Sequence, residues 1–171
     1  MRHLLLLRHA KSAWDEPELP DVDRPLAARG RKTAPLLAHW LDQQQLTPDL
    51  VLCSPARRVQ ETWELMRPVL GEGIPTKTLR TLYLAGPSRL LAALRRTPED
   101  VRTLLLIGHN PGLAGLALSL SGVGREKALA RMAKKFPTAG LAVISFDAEQ
   151  WSTIGAGGGK LEAFVRPKDL A

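Results

Sequence analysis

The sequence has one cysteine, few aromatic residues and no long apolar run, and each shortage excludes a class of protein. The single cysteine, Cys53, excludes an internal disulfide framework and a cysteine-rich metal site. The longest apolar run near the N-terminus covers residues 4–7. A signal peptide needs roughly 7–15 apolar residues in its core and a membrane helix needs ~20. The sequence therefore predicts a soluble, cytoplasmic protein with no membrane partner.

Acidic residues are outnumbered, with 17 Asp and Glu against 24 Lys and Arg, which gives a formal net charge of +7. Such a surplus fits a nucleic-acid partner, an arginine pocket for a small phosphate, or a basic surface with no specific partner. Only one tyrosine and three phenylalanines occur, so side chains on which bases could stack are scarce. We therefore expect no nucleic-acid partner.

The remaining composition is that of an ordinary globular protein. Hydrophobic residues make up 44% of the chain and charged residues 24%, so disorder throughout is excluded. A length of 171 residues fits one domain covering residues 1–171.

Short apolar runs alternate with amphipathic stretches along most of the chain. The pattern predicts strands over residues 3–7, 50–53, 76–79, 103–107, 141–146 and 161–165. It predicts helices over residues 29–45, 54–70, 88–96 and 111–121, with Ser54 as N-cap of the second and Pro55 in its first turn. This alternation indicates an α/β fold, a three-layer sandwich with a mainly parallel sheet. The last two strands are close enough for a hairpin, which predicts one antiparallel edge strand.

Polar residues follow three of the predicted strands at the point where each strand ends. Arg8 and His9 follow the first strand, residues 54–58 (Ser-Pro-Ala-Arg-Arg) follow the second, and Gly108-His109-Asn110 follows the fourth. Ligands of open α/β sheets bind beyond the C-terminal ends of the strands. Taken singly, each histidine is more typical of a turn, and Arg57 and Arg58 of a solvated first helical turn. Together they predict one rim that carries two histidines and at least two arginines.

This set of side chains suits phosphoryl chemistry. Arginine forks match phosphate oxygens, and cations at a helix N-terminus favour an anion that relieves their conflict with the helix dipole. A neutral imidazole is a good nucleophile towards phosphorus, and a second one can donate a hydrogen bond to an equatorial oxygen. The spacing of the histidines matches no zinc pattern. We therefore expect neither a metal nor another cofactor.

Four elements in chain order resemble the signature of the histidine phosphatase superfamily, which also contains the phosphoglycerate mutases. They are Leu-Arg-His-Ala at 7–10, Arg-Pro-Leu at 24–26 followed by Gly30, a Ser-Pro-x-x-Arg-x-x-x-Thr pattern at 54–62, and Gly-His-Asn-Pro at 108–111. The short chain, Arg-His-Ala-Lys-Ser at 8–12 and the lack of an insertion between the last two motifs resemble the SixA-type phosphohistidine phosphatases. The resemblance implies a phosphoglycerate mutase-like fold.

The resemblance also implies roles for individual residues. His9 would be the nucleophile that becomes transiently phosphorylated, Arg8 and Arg58 would clamp the phosphoryl oxygens, and His109 would stabilise the transition state. Arg24 would reach the mouth of this pocket as a further phosphate ligand. Arg57 is expected to be exposed, and Ser54 to be structural.

The implied function is a metal-independent phosphatase that removes a phosphoryl group from phosphohistidine on a protein, through a covalent intermediate on His9. The alternatives are a phosphatase of small phosphate monoesters, or a module that binds a phosphorylated protein or small molecule without turning it over.

One departure from the superfamily pattern bears on the substrate. Many members carry a carboxylate between the second and third motifs as general acid, but residues 78–84 contain none. A positioned acid is typically worth ~10²–10⁴-fold for an alkoxide leaving group, whereas a phosphorylated imidazole is protonated by water. The missing acid favours a P–N substrate over an ester. Asp15, Glu16, Asp21 or Asp23 remain as substitutes.

Three other features carry weaker predictions. The glycine-rich stretch 155–160 lacks the Ser or Thr and the helix of a phosphate-binding loop, so it indicates a flexible hairpin loop. The basic stretch 125–135 is typical of a solvated helix face and is also suited to docking an acidic phosphoprotein. Cys53, inside an apolar strand, is expected to be buried filler.

Overall fold

A computed structural model describes residues 1–170, which form a seven-stranded sheet with helices on both faces. The strands are β1 (Arg2–Arg8), β2 (Leu50–Cys53), β3 (Thr76–Thr78), β4 (Thr103–Gly108), β5 (Ser121–Gly124), β6 (Leu141–Phe146) and β7 (Gly159–Val165). The helices are α1 (Ala28–Gln43), α2 (Arg57–Leu70), α3 (Pro87–Arg95), α4 (Gly112–Leu120) and α5 (Glu126–Lys134). Short 3₁₀ turns lie at Asp21–Asp23, Arg80–Leu82, Trp151–Thr153 and Pro167–Asp169.

The sheet order is β3-β2-β4-β1-β6-β7-β5, and only β6 runs against the others. The predicted α/β class, mainly parallel sheet and β6–β7 hairpin are confirmed. The antiparallel strand, however, lies inside the sheet, between β1 and β7. It is not an edge because β5, which was not predicted, pairs in parallel with β7 and takes the outer position. The sequence of β5, Ser-Gly-Val-Gly, has little strand propensity.

The apolar runs of the central strands are explained by burial on both faces of the sheet. Leu4 and Leu6 of β1 face one core, and Leu5 and Leu7 face the other; all four are fully buried. Strands covered on both sides read as continuous apolar sequence rather than as an alternation. The first core contains residues of α3, α4 and α5, and the second contains residues of α1 and α2 (Leu90, Leu116 and Met132; Leu37, Trp63 and Met66). This arrangement confirms the predicted three layers.

Helix α2 begins later than the sequence predicts. Its first residue is Arg57 and its N-cap is Ala56, without a side-chain cap. The prediction that Ser54 is the N-cap is therefore wrong. Its hydroxyl instead lies 2.7 Å from Nε2 of His109 and accepts a hydrogen bond from the amide of Ala56. As a result Arg57 and Arg58 are the first two residues of the helix, the former exposed and the latter buried.

Gly30 lets α1 approach the chain segment that follows β1. A Cβ atom at this position would lie 2.3 Å from the carbonyl oxygen of Lys11. The same carbonyl accepts a hydrogen bond of 2.8 Å from the amide of Ala27, just before the helix. The segment that carries His9 is thereby held against the start of α1.

We expect Gly30→Ala to lower the free energy of unfolding by ~1–3 kcal/mol, the usual cost of forcing atoms into a filled site. The added methyl group meets backbone, which cannot rotate away. Urea unfolding followed by circular dichroism measures the effect. Gly73→Ala is the control, because a Cβ there has no heavy atom within 4 Å. Equal stability of the two variants would contradict the close approach.

No helix within residues 1–170 combines the length and the apolar character needed to cross a membrane.

Candidate active site

The residues predicted to share one rim lie together at the C-terminal ends of β1, β2 and β4. Strand β4 pairs with β1 on one side and with β2 on the other, so the three ends are neighbours. His9, Arg58 and His109 are buried there, each less than 7% exposed. The two imidazole rings lie with their centroids 5.5 Å apart. The guanidinium of Arg58 contacts both rings, at 3.4 Å from Nε2 of His9 and 3.3 Å from Nδ1 of His109.

The hydrogen bonds of His9 determine which ring nitrogen carries the proton. Nδ1 lies 2.8 Å from the carbonyl oxygen of Ala10, which only accepts, so Nδ1 is the donor. Burial lowers the pKa of His9 to about 3; the Ala10 bond opposes this shift, and the charge of Arg58 adds to it. The ring is therefore neutral near pH 7, and the lone pair of Nε2 faces the guanidinium of Arg58.

His109 is held in the opposite tautomer. A guanidinium only donates, so Nδ1 accepts from Arg58 and Nε2 donates to the hydroxyl of Ser54. Burial, followed by the charge of Arg58, lowers the pKa of His109 to about 4. Both histidines are thus uncharged in a pocket whose positive charge comes from arginine.

We expect the rings of His9 and His109 to stay neutral from about pH 8 down to about pH 5, whereas an ordinary histidine titrates near pH ~6.5. Below pH ~6.5 the histidines of the unfolded chain bind protons, whereas the same rings in the folded chain stay unprotonated. The free energy of unfolding therefore falls as the pH falls from ~6.5 towards ~4. Ring ¹⁵N shifts, assigned with His9→Ala and His109→Gln, measure the titration. A midpoint near 6.5 for either ring would contradict the expectation.

Arg8 is the last residue of β1, directly before His9, and its charge adds to the lowering of the pKa of both His9 and His109. Its Nη1 donates to the carbonyl oxygen of Phe136 at 3.1 Å, and its Nε is buried without a partner among the described residues. Burial, and then the charge of Arg58, lowers the pKa of Arg8. Asn110 donates to the same carbonyl at 2.8 Å, which ties the loop before β6 to the third motif.

Asp21, from the long loop after β1, occupies the outer face of Arg58. Its main-chain oxygen accepts from Nη1 of Arg58 at 2.8 Å, and its carboxylate accepts from Nη2 at 3.0 Å. The hydroxyl of Tyr83 donates to the same carboxylate. Burial alone would raise the pKa of Asp21, but the bonds from Tyr83 and Arg58 lower it to about 2. Burial and Asp21 together raise the pKa of Tyr83.

Arg24 lies behind Asp21 rather than in contact with the histidines. It donates to the Asp21 carboxylate at 3.2 Å and to the hydroxyl of Ser12 at 3.0 Å, and its guanidinium lies 3.5 Å from the ring centroid of Trp14. These partners fix the loop, so the contacts of Arg24 are those of a residue that positions Asp21.

Sequence reasoning missed two contributors and placed a third differently. Thr62 accepts from the amide of Ala10 at 3.1 Å and donates to the carbonyl of Arg58 at 2.7 Å, which joins the first and second motifs. Its position in the second motif was a signal for this role. Tyr83 lies in the stretch searched for an acid and carried no signal. Ser54 contacts His109 instead of capping a helix.

Two further predictions about single residues, Arg57 and Cys53, agree with the structure. Arg57 is exposed and pairs with Glu61 at 3.1 Å, as expected for a residue outside the pocket. Cys53 is buried, and burial raises the pKa of its thiol to about 12, which confirms it as filler. Within residues 1–170 no three His, Cys, Asp or Glu side chains are grouped as a metal site.

Comparison with known proteins agrees with this geometry. The family model of the histidine phosphatase superfamily (branch 1) matches residues 4–83. The phosphohistidine phosphatase SixA of Escherichia coli K12 is 30% identical over 119 residues, covering 68% of this chain and 73% of that protein. An uncharacterised protein of Mycobacterium tuberculosis H37Rv is 37% identical over 164 residues, covering 95% of this chain and all of that protein.

Two solved structures are similar over nearly their full length. One, assigned to SixA of Agrobacterium tumefaciens, has a TM-score of 0.82 and 29% identity and covers 97% of this chain and 98% of that one. The other, a protein histidine phosphatase SixA complexed with tungstate, has a TM-score of 0.79 and 25% identity and covers 99% of both chains. The predicted phosphoglycerate mutase-like fold is thereby confirmed. The chain is a histidine-type phosphatase that belongs to the histidine phosphatase superfamily, among its SixA-type members.

Proposed function

We propose that this phosphatase hydrolyses phosphohistidine on a protein, without a metal ion, through a phosphoryl group held transiently on His9. The observation that carries the proposal is the unprotonated Nε2 of His9, 3.4 Å from the guanidinium of Arg58. A neutral nucleophile beside a fixed cation attacks phosphorus while the cation compensates the charge of the phosphoryl oxygens.

The first step transfers the phosphoryl group between two imidazoles. A bond forms from Nε2 of His9 to phosphorus as the P–N bond of the substrate breaks, and the leaving imidazole takes a proton from water, which becomes hydroxide. In the second step a water oxygen attacks phosphorus, the bond to Nε2 breaks, and inorganic phosphate leaves, while the proton lost by the attacking water neutralises that hydroxide. Arg8 and Arg58 hold the phosphoryl oxygens in both steps, and the charge they supply takes the place of a divalent cation.

The state of Asp21 supports a P–N substrate. This carboxyl contacts Arg58 directly, but its pKa of about 2 leaves it ionised near neutral pH. An ionised carboxylate has no proton for an alkoxide leaving group, whereas a leaving imidazole needs none from the protein. Hydrolysis of small esters is the second candidate, and it requires Asp21 to be protonated when substrate binds.

The Ser54 hydroxyl allows His109 to change tautomer when a phosphoryl group arrives. In the unliganded pocket Nε2 of His109 donates to Ser54 and Nδ1 accepts from Arg58. A hydroxyl both donates and accepts, so Ser54 can donate to Nε2 instead. The ring then gives up its Nε2 proton to water and takes one at Nδ1 from water, and this Nδ1–H donates a hydrogen bond to an equatorial oxygen.

We expect Asp21→Asn to bind inorganic phosphate or tungstate about threefold to tenfold more tightly. The substitution removes a negative charge that competes with the anion for Arg58. Calorimetric titration measures the affinity, and assays with a phosphohistidine peptide and a sugar phosphate follow turnover. Retained P–N hydrolysis is the expected result.

Asp23→Asn, on the same 3₁₀ turn and exposed, is the matched control and should leave anion affinity unchanged. Weaker anion binding by Asp21→Asn, or loss of P–N hydrolysis, would show instead that the carboxylate takes part in the reaction.

A side-by-side rate comparison tests the proposed function. The wild-type protein is assayed on a histidine-phosphorylated protein and on a panel of sugar phosphates, each with and without EDTA. We expect a higher kcat/KM on the phosphohistidine protein and no effect of EDTA. A higher value on the sugar phosphates would favour the ester alternative, and inhibition by EDTA that a divalent metal restores would overturn metal independence.

A further inference from the structure

A strongly basic cleft, which we call the α5 cleft, opens next to the candidate active site. It is a cavity of about 570 Å³ lined by four arginines, four lysines and five uncharged residues. Six of the basic residues are exposed, namely Lys11, Arg29, Arg131, Lys134, Lys135 and Lys168. Among the described residues no acidic side chain lines it, and the nearby Asp169 pairs with Arg166 at 2.9 Å.

The α5 cleft concentrates basic side chains. It is lined by eight of the 24 Lys and Arg residues of the chain. The cations come from separate parts of the chain: the end of β1 and the loop after it, the start of α1, the end of α5 and the C-terminal 3₁₀ turn. The fold thus gathers like charges that are distant in sequence, which costs stability through repulsion.

The α5 cleft adjoins the chain segment that carries His9. Arg8, directly before His9 in the chain, lines the cleft, and Lys11, two residues after His9, lines it as well. The opposite wall is fixed by Ala139, whose amide lies within hydrogen-bond distance of the carbonyls of both Arg8 and His9. Residues flanking a phosphorylated side chain in the pocket would therefore lie over these cations.

We propose that the α5 cleft docks an acidic segment of the phosphoprotein substrate, next to the phosphorylated residue. The inference rests on the proposed function, and it identifies the surface that recognises the phosphoprotein substrate. Dispersed, exposed lysines and arginines fit carboxylates spread along a polypeptide better than one compact anion. None of the described residues that line the cleft is aromatic, so these residues offer no stacking surface for nucleic-acid bases.

Two phosphohistidine peptides of equal length, with Glu or with Gln on both flanks, test the proposal. We expect the wild-type protein to show a KM about tenfold lower for the Glu peptide at low ionic strength, with similar kcat, and to lose the difference in ~0.5 M salt. The variant Arg131→Gln/Lys134→Gln/Lys135→Gln should lose the preference while hydrolysing phosphoimidazole at the wild-type rate.

The control variant is Lys77→Gln/Arg89→Gln/Arg96→Gln, which removes three charges from another basic cavity, on the β3–α3 side of the molecule. It should keep the preference for the Glu peptide. Equal KM for the two peptides in the wild-type protein, or an unchanged preference in the α5-cleft variant, would overturn the proposal. So would an oligonucleotide that competes more strongly than a Glu peptide of the same charge.

A binding measurement separates this proposal from the proposed function. Fluorescence anisotropy of the labelled, unphosphorylated Glu peptide reports docking without catalysis. If neither phosphohistidine peptide nor phosphoimidazole is hydrolysed, the proposed function fails. Binding of the Glu peptide to the wild-type protein, and its loss in the α5-cleft variant, would still support the docking surface.

Discussion

His9→Ala should lower the turnover of a phosphohistidine peptide by on the order of 10⁴-fold or more, because it removes the proposed acceptor of the phosphoryl group. The arginines and His109 remain, so tungstate should still bind. The substitution removes the hydrogen bonds of His9 with the carbonyl of Ala10 and with Arg58, and the fold should persist. Release of phosphate measures turnover, circular dichroism measures folding, and calorimetry measures tungstate affinity.

His39→Ala is the matched control, since His39 is an exposed residue of α1. It should keep wild-type turnover. A ³²P-labelled substrate quenched in alkali adds a direct readout: the label should remain on the wild-type chain and be absent from His9→Ala. Full activity of folded His9→Ala would contradict the proposed intermediate, and so would label that persists on that variant.

The parts of the fold that the sequence predicted are those decided by local pattern. The four consecutive leucines of β1 and the run of β4 are buried on both faces, so their apolar character is continuous and easily recognised. Their charged or polar ends then place the candidate site through a rule of sheet topology. In contrast, β5 is a strand only because β7 offers it an edge, and its Ser-Gly-Val-Gly sequence contains no sign of that edge.

The residues of the candidate site also fall into those that local sequence pattern predicts and those that depend on contacts between distant segments. Arg58 and the two histidines were predictable because they stand at fixed offsets from the ends of strands. The start of α2 was not, because the Ser54 hydroxyl that would cap it is taken by His109, a contact between distant segments. Asp21 was one of four acids left open on the loop. That Asp21 contacts Arg58 depends on the loop path set by Arg24 and on the hydroxyl of Tyr83.

Arg58→Ala should lower kcat/KM by roughly 10²–10³-fold, about the loss seen when one preorganised donor to a developing anion is removed. Arg58 contacts both histidines and Asp21, so the effect has two parts. The phosphoryl group loses its clamp, and the pKa values of His9 and His109 rise because a nearby positive charge is gone. Burial, the larger cause, still holds both below their usual range. Steady-state kinetics and ring ¹⁵N titration measure the two parts separately.

Arg57→Ala is the control that the chain itself provides, one residue earlier on the same helical turn. Its side chain is 55% exposed and pairs with Glu61, a contact outside the pocket. Exposed ion pairs contribute ~0–1 kcal/mol, so activity should stay within about twofold of wild type. Arg58→Lys should fall between the two alanine variants, since it keeps a charge but loses the fork that spans both rings and the anion. Equal effects of Arg57→Ala and Arg58→Ala would show that general positive charge, rather than the contacts of Arg58, supports catalysis.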